Sequence, residues 1–166
     1  MPTYTAVITT IGATRLAEAQ MSGVPLIFTE MAVGDGNGTT PIPTTAQTGL
    51  VNEVWRGDVN TVEIHVSAPS TVRIEGVIPA ASGGFTVREV GCFNAAGELI
   101  VVASHPDCHK LTPAEGVTAD MILRQLLYYS DLAAISHVVD PAVVIASREY
   151  VDDETAGSLW LWENFS

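Results

Sequence analysis

Basic residues are scarce in this chain: seven Lys and Arg stand against nineteen Asp and Glu, a net charge of −12. So few cations cannot neutralise a run of phosphates, which argues against a nucleic-acid partner, and the same deficit disfavours an anionic membrane surface. Acidity of this kind serves solubility or matches a basic partner. Cysteine is equally sparse. Cys92 and Cys108 are too few for a disulfide framework, so a reducing compartment is the default. No apolar run approaches the length of a membrane span. The N-terminal MPTYTAVITTIGATRLAEA lacks the basic start and long apolar core of a signal peptide. Charged residues of both signs make up 16% of the chain, against 47% hydrophobic. A surface that lean in charge is expected to be covered in part, most simply by other copies of the chain.

What is present reads as β-structure. The 166 residues suffice for one domain with a real core. Gly83–Ser104 (GGFTVREVGCFNAAGELIVVAS) reads as a hairpin: an outgoing strand over Phe85–Phe93, turn chemistry at Asn94–Gly97, and an apolar return over Leu99–Ala103. Gly91 inside the outgoing strand marks a bulge or a close approach. Thr61–Ser67 and Thr71–Ile78 alternate apolar and polar residues with period two, which predicts an antiparallel pair with one wet face. Upstream, Ala6–Thr10 reads as extended. Thr9 or Thr10 is placed to cap a helix over Ile11–Gln20, weakened by Gly12 and ended by Gly23. Leu26–Val33 and Asn52–Gly57 read as strands, Gly34–Pro43 as a loop, and Thr45–Leu50 as one helical turn. His105–Ala119 reads as irregular. Met121–Tyr129 is accepted equally by helix propensity and by strand pairing, and a further apolar run follows over Leu132–Val139. Ser147 is placed to cap a last helix over Arg148–Glu154.

The chemistry-bearing residues point away from catalysis. Gly34–Gly38 (GDGNG) is followed by Thr39, Thr40 and Pro41 rather than by a helix, and Asp35 alone does not make a calcium loop. A tight turn is the expectation there. His105, Cys108 and His109 have only a distant Cys92 or His65 to complete four zinc donors. Cys92 sits in an apolar strand, as an inert structural thiol does. No catalytic residue, cofactor site or metal site is therefore expected. Trp55 and Arg56, and the pair Arg88 and Glu89, are better candidates for contacts, with Trp55 read equally well as ordinary core. Trp and Arg are enriched at interface hot spots, and a charge pair within an apolar strand needs partners on two faces. Trp160 and Trp162 alternate with leucine in LWLWENF and make a segment suited to docking on a neighbouring chain.

Four segments in order, MAVGDGNG, LVNEVWRGDVN, GGFTVREVGCFNAAGELIVVA and DPAVVIASREYVDD, resemble the N-terminal domain of tail-fibre proteins of contractile-tailed phages and R-type pyocins. The resemblance runs from about Thr5 to Asp153. It implies a non-enzymatic structural part of a virion: the baseplate-attachment end of a trimeric fibre, assembled in the host cytoplasm. The implied partners are two further copies of the chain, a baseplate wedge protein, and a distal fibre segment or second fibre protein. It also implies that Met121–Val139 is a strand pair and adds Tyr150 and Val151 to the interface candidates. The expected fold is α+β, mainly antiparallel strands with a short N-terminal helix and a C-terminal helix near a trimer axis. Residues 1–146 form the attachment domain, and 147–166 the C-terminal helix and aromatic tail. Family fibres continue past YVDD as a stalk and tip, whereas TAGSLWLWENFS follows here. The resemblance thus carries attachment further than receptor binding, which stands as the alternative function.

Overall fold

The computed structural model describes residues 4–64, 70–116, 119–128, 135 and 138–139. Its strands are β1 (Ala6–Ile8), β2 (Phe28–Gly34), β3 (Glu53–Ile64), β4 (Thr71–Ile78), β5 (Phe85–Asn94), β6 (Leu99–Lys110), β7 (Met121–Tyr128) and β8 (Val138–Val139), with one α-helix, α1 (Thr10–Ser22). They form a single sheet in the order β1-β6-β5-β2-β3-β4-β7, with β8 beside β3. Neighbouring strands are antiparallel throughout.

β3 changes partner along its length. Glu53–Asp58 pair with β2, and Val59–Ile64 pair with β4. A sheet built on such a handover curls, because strand twist accumulates across its rows. The curl carries β7 back towards β6 and β1, so the sheet is nearly a closed barrel. Lys110 Nζ at the end of β6 donates to the Ala119 carbonyl just before β7 (2.6 Å). Farther along, a cleft of about 380 Å³ separates β1 from β7, lined by Val7, Val101, Leu126 and Tyr128 among others.

Alternation sorts the side chains. The inner face carries the main core, with Met31, Val33, Val62, Val72, Ile74, Val90, Cys92 and Val101 packed together. A smaller cluster of Ala32, Phe93, Leu99 and Val102 lies apart from it, with Leu50 and Val7 against it. Burial pushes the Cys92 thiol up to about 12, so it stays protonated and packs as a small apolar group.

α1 is fastened to the hairpin at both ends. Thr9 caps it by accepting from the Gly12 N–H (3.0 Å), while the same hydroxyl donates to the Leu99 carbonyl (2.5 Å). Gly12 is buried against β6, where a Cβ would lie 2.3 Å from the Ile100 oxygen. The close approach of helix and strand therefore depends on its lacking a side chain. At the C-terminus Gly23 takes the left-handed conformation (φ 70°) that ends the helix. The β5–β6 turn is shaped by Asn94, whose Oδ1 accepts from Ala96 N (3.1 Å) and Glu98 N (2.9 Å). Arg15 on α1 then grips Glu98 with two nitrogens, at 2.8 and 2.7 Å.

Several expectations need correction. The fold class is not α+β: the described residues are mainly antiparallel β in a nearly closed barrel, with a single α-helix as an accessory to one sheet. The physical reason is that strand segments from Ala6 to Val139 pair within one continuous sheet, which leaves no separate helical layer. The C-terminal helix expected over 148–154, and with it the division at residue 147, fall outside the described residues. Thr45–Leu50 holds turns and bends rather than a helical turn. Asn52–Gly57 and Thr61–Ser67 are not two strands, since β3 runs unbroken from Glu53 to Ile64. His105–Ala119 is not irregular throughout, because β6 extends to Lys110 by pairing with the start of β5, Lys110 opposite Phe85 and Cys108 opposite Val87. Polar side chains there disguise a strand whose partner is distant from the turn. Met121–Tyr128, by contrast, is a strand as the resemblance implied, paired along its length with β4 and alternating in burial residue by residue.

Two outcomes test this arrangement. Gly12→Ala raises helix propensity by about 1 kcal/mol, yet the contact with Ile100 forces an overpacking cost of about 1–3 kcal/mol. Urea unfolding is therefore expected to show a net loss of stability, and a gain would contradict the packing. Arg15 and then Asn94 hold the Glu98 carboxyl down at about 2, from an ordinary 4.5. A depressed folded-state value stabilises fully above the unfolded value and is lost as pH falls through the folded one. Melting temperature should drop more steeply between pH 4.5 and 2 in the native chain than in Glu98→Gln. The difference should shrink in high salt, because the pair is partly solvated.

Candidate functional site

Three segments far apart in sequence meet at the end of the long loop that joins β2 to β3. Glu89, in the middle of β5, is 1% exposed. Its carboxylate accepts from the backbone N–H of Val51 (Oε2, 3.0 Å) and of Asn52 (Oε1, 2.9 Å). A buried carboxylate is tolerable only when such donors replace its hydration. The neighbouring strand makes room for it. A Cβ at Gly34 would stand 2.3 Å from Glu89 Oε1 and 2.6 Å from the Asn52 oxygen, so no larger residue fits.

The loop's other end is tied to the same place. Asn52 Nδ2 donates to Asp35 Oδ1 (2.8 Å), which also accepts from Asn37 N (2.9 Å). The Asp35 N–H in turn donates to the Asn52 carbonyl (3.1 Å). The Asn52 side chain first, and the Asn37 amide second, hold the Asp35 carboxyl below its usual range. Asn37 adopts a left-handed conformation (φ 53°) between two glycines that do the same. GDGNG is thus a tight turn closed by its own aspartate.

Arg88 completes the cluster on the other side of β5. Its Nη1 donates to the Asp35 carbonyl (3.1 Å) and its Nε to Asp107 Oδ2 (3.1 Å), whose second oxygen accepts from Thr40 (3.2 Å). Asp107 reaches this position because β6 bulges. Val87 pairs with Cys108 and Glu89 with Ser104, so His105, Pro106 and Asp107 stand opposite Arg88 alone. Gly91 proves to be a close approach: a Cβ there would meet Leu99, Leu50 and Phe93 at 2.8 to 3.2 Å.

Trp55 and Arg56 take opposite faces of β3. Trp55 packs against the main core, and its ring covers Gly57, where a Cβ would lie 2.5 Å from the indole. Arg56 points the other way. It forms a bidentate pair with Glu53 (2.8 Å each), a third bond to Glu30 (2.8 Å), and stacks 3.9 Å from the Phe93 ring centroid. Glu53 first and Glu30 after it raise the Arg56 pKa further, so the guanidinium is charged at every accessible pH. The four interface candidates on strands are thus all engaged within the chain. Tyr150, Val151, Trp160 and Trp162 lie outside the described residues, as does His65. Cys108 packs against the main core, whereas His109 contacts Thr86 (3.1 Å) and His105 contacts the Pro106 carbonyl (2.7 Å).

Val51 and Asn52 escaped sequence reading as partners of Glu89, and Asp35 as the partner of Asn52. The available signal was the pairing of a strand-ending Gly34 with an acidic residue in an otherwise apolar strand. What the cluster does chemically is hold backbone: its carboxylates are filled by amide and guanidinium donors, and the loop they fix cannot swing away from the sheet.

These features define a class, a β-structured scaffold domain whose charged residues hold its loops in place. The family described as phage tail-collar fibre protein, N-terminal, matches residues 1–149, and the chain belongs to that family. It is therefore a structural component of a phage tail fibre, a part of the virion's tail. The chain is also 39% identical over 154 residues to the probable tail fiber protein of Escherichia phage P2, across 92% of this chain and 23% of that protein. It thus spans under a quarter of the length of that relative. No solved structure matches it. MAVGDGNG, LVNEVWRGDVN and the hairpin segment, which carried the resemblance, are the three segments that converge on Glu89.

Replacing Glu89 by Ala leaves the Val51 and Asn52 amides without their acceptor, at about 1–3 kcal/mol for each that stays buried. The expected loss is about 2–3 kcal/mol in chemical unfolding, because Val51 is itself half exposed and regains water. Amide hydrogen exchange should accelerate at Val51 and Asn52 before it does in the β4–β7 pair. Unchanged exchange at those two amides would show that the loop is held by other means.

Proposed function

We propose that this chain forms the baseplate-proximal end of a tail fibre and fastens the fibre to the baseplate of a contractile tail, acting as a homotrimer. A baseplate wedge protein is the partner on one side. A distal fibre segment or a second fibre protein is the partner on the other. The trimer assembles in the host bacterial cytoplasm and joins the tail there. The observation that carries this reading is membership, over residues 1–149, of a family defined by the N-terminal domain of tail-collar fibre proteins.

Its physical basis is rigidity. A surface that binds without rearranging loses little conformational entropy on docking, and the loop ties around Glu89 supply such a surface. Aromatic Trp160 and Trp162 and the nearby Tyr150 and Val151 are proposed as contacts with neighbouring chains. The role needs no catalytic group, cofactor or metal.

The test uses fibreless tails mixed with the purified full chain. Co-sedimentation of the chain with the tails, competed away by intact fibres, is the expected result. Failure to sediment when intact fibres do would overturn attachment. Adsorption of the chain alone to host cells would favour the receptor-binding alternative.

A further inference from the structure

The outward face of β7 is the part of the described surface whose composition its own fold does not explain. Alternation turns Leu123, Gln125 and Leu127 inward and leaves Ile122, Arg124, Leu126 and Tyr128 on the outside. The three apolar members are 49%, 37% and 73% exposed, in a row along one strand. Leu126 and Tyr128 are adjacent on that face and Ile122 lies beyond Arg124, so the apolar residues flank one charge rather than lying scattered.

Arg124 sits in the middle of that patch. It is 59% exposed, against 18 to 36% for the other described arginines. It ends a ladder of charges that crosses the sheet. Glu63 on β3 pairs with Arg73 on β4, Arg73 with Glu75 (3.1 Å), and Glu75 with Arg124 Nε (2.7 Å). The ladder holds the guanidinium through Nε, and its two terminal nitrogens have no hydrogen-bond partner among the described residues. A positioned arginine flanked by a tyrosine and two aliphatic residues has the composition of an interface hot spot.

Charge complementarity selects the occupant. The chain carries a net charge of −12, and its exposed acidic side chains include Asp58 and Asp120, which form no ion pair among the described residues. Acidic surface of that kind, presented by another copy, matches an exposed arginine whose terminal nitrogens have no partner among the described residues. A two-fold contact of β7 with β7 would place two such arginines in one patch, which is repulsive. A head-to-tail contact sets Arg124 against acidic surface instead and closes into a ring when the rotation allows.

We propose that the β7 face formed by Ile122, Arg124, Leu126 and Tyr128 docks head-to-tail on the acidic surface of a second copy of this chain, and that three such contacts close the trimer. This inference rests on the trimeric reading given above. β7 is then an interface strand, with its apolar residues supplying burial and Arg124 fixing orientation.

Light scattering on the full 166-residue chain tests it. The native protein should show three times the 17.5 kDa chain mass. Tyr128→Asp and Leu126→Asp should cut that mass threefold at the same concentration, with an unchanged circular-dichroism spectrum. Arg124→Gln should weaken assembly about tenfold, an effect of about 1.4 kcal/mol, and flatten its dependence on salt. Should an aspartate variant fail to fold, Ile122→Ser, a milder change on the same exposed face, replaces it. A native trimer that persists in all these variants would overturn the β7 assignment while leaving the trimer intact. A native monomer would overturn the trimeric reading and this inference together.

Discussion

A single buried carboxylate organises the outer side of this domain. Glu89 occupies a buried position on β5, between Gly34 and Ser104 of the flanking strands, and it is stable there because two backbone amides of the β2–β3 loop are delivered to it. The dependence runs both ways. Without the carboxylate the loop end has two donors lacking an acceptor, and without the loop the charge would be stranded against the sheet. Gly34 is the third party, since any side chain there would occupy the space in which the two meet. The loop's conformation, the Asp35–Asn52 tie and the placement of Arg88 all follow from that contact.

Much of the β-structure was legible because its periodicity was strong. β4 was read to the residue, the hairpin turn at Asn94–Gly97 was marked by its own chemistry, and Gly23 announced the end of α1. Legibility failed where pairing partners were remote. Polar His105–Lys110 carry no strand signal of their own and become β6 only because β5 lies alongside. The two-faced Met121–Tyr128 gave helix and strand equal claim, and tertiary pairing to β4 along its whole length decided it. The fold class erred for a related reason: the antiparallel strands were legible, but local patterns do not show that they pair into one nearly closed sheet.

The candidate site shows the same limit at the level of side chains. Arg88 and Glu89 were recognisable as needing partners on two faces, and they have them. What alternation cannot reveal is that the partners come from the chain's own loop and bulge. Trp55 and Arg56 divide in the same way. The indole turns to the core, while the guanidinium is held by Glu53, Glu30 and the Phe93 ring. Four residues that composition nominated for contacts between chains thus hold the domain together from within. The face with unspent binding capacity is one that no motif marked.

The attachment of the N-terminal segment sets an order of events during synthesis. β1 pairs with β6, Ala6 opposite Ala103, and the hydroxyl of Thr9 needs the carbonyl of Leu99. Neither contact can form until the hairpin has been synthesised, so β1 and the cap of α1 depend on residues about ninety positions downstream. Until then the opening segment must wait as an unpaired chain, and the β2–β3–β4 region has the chance to form first. The amino-terminal strand and helix cap thus require the hairpin, whereas the pairings of β3 with β2 and β4 do not.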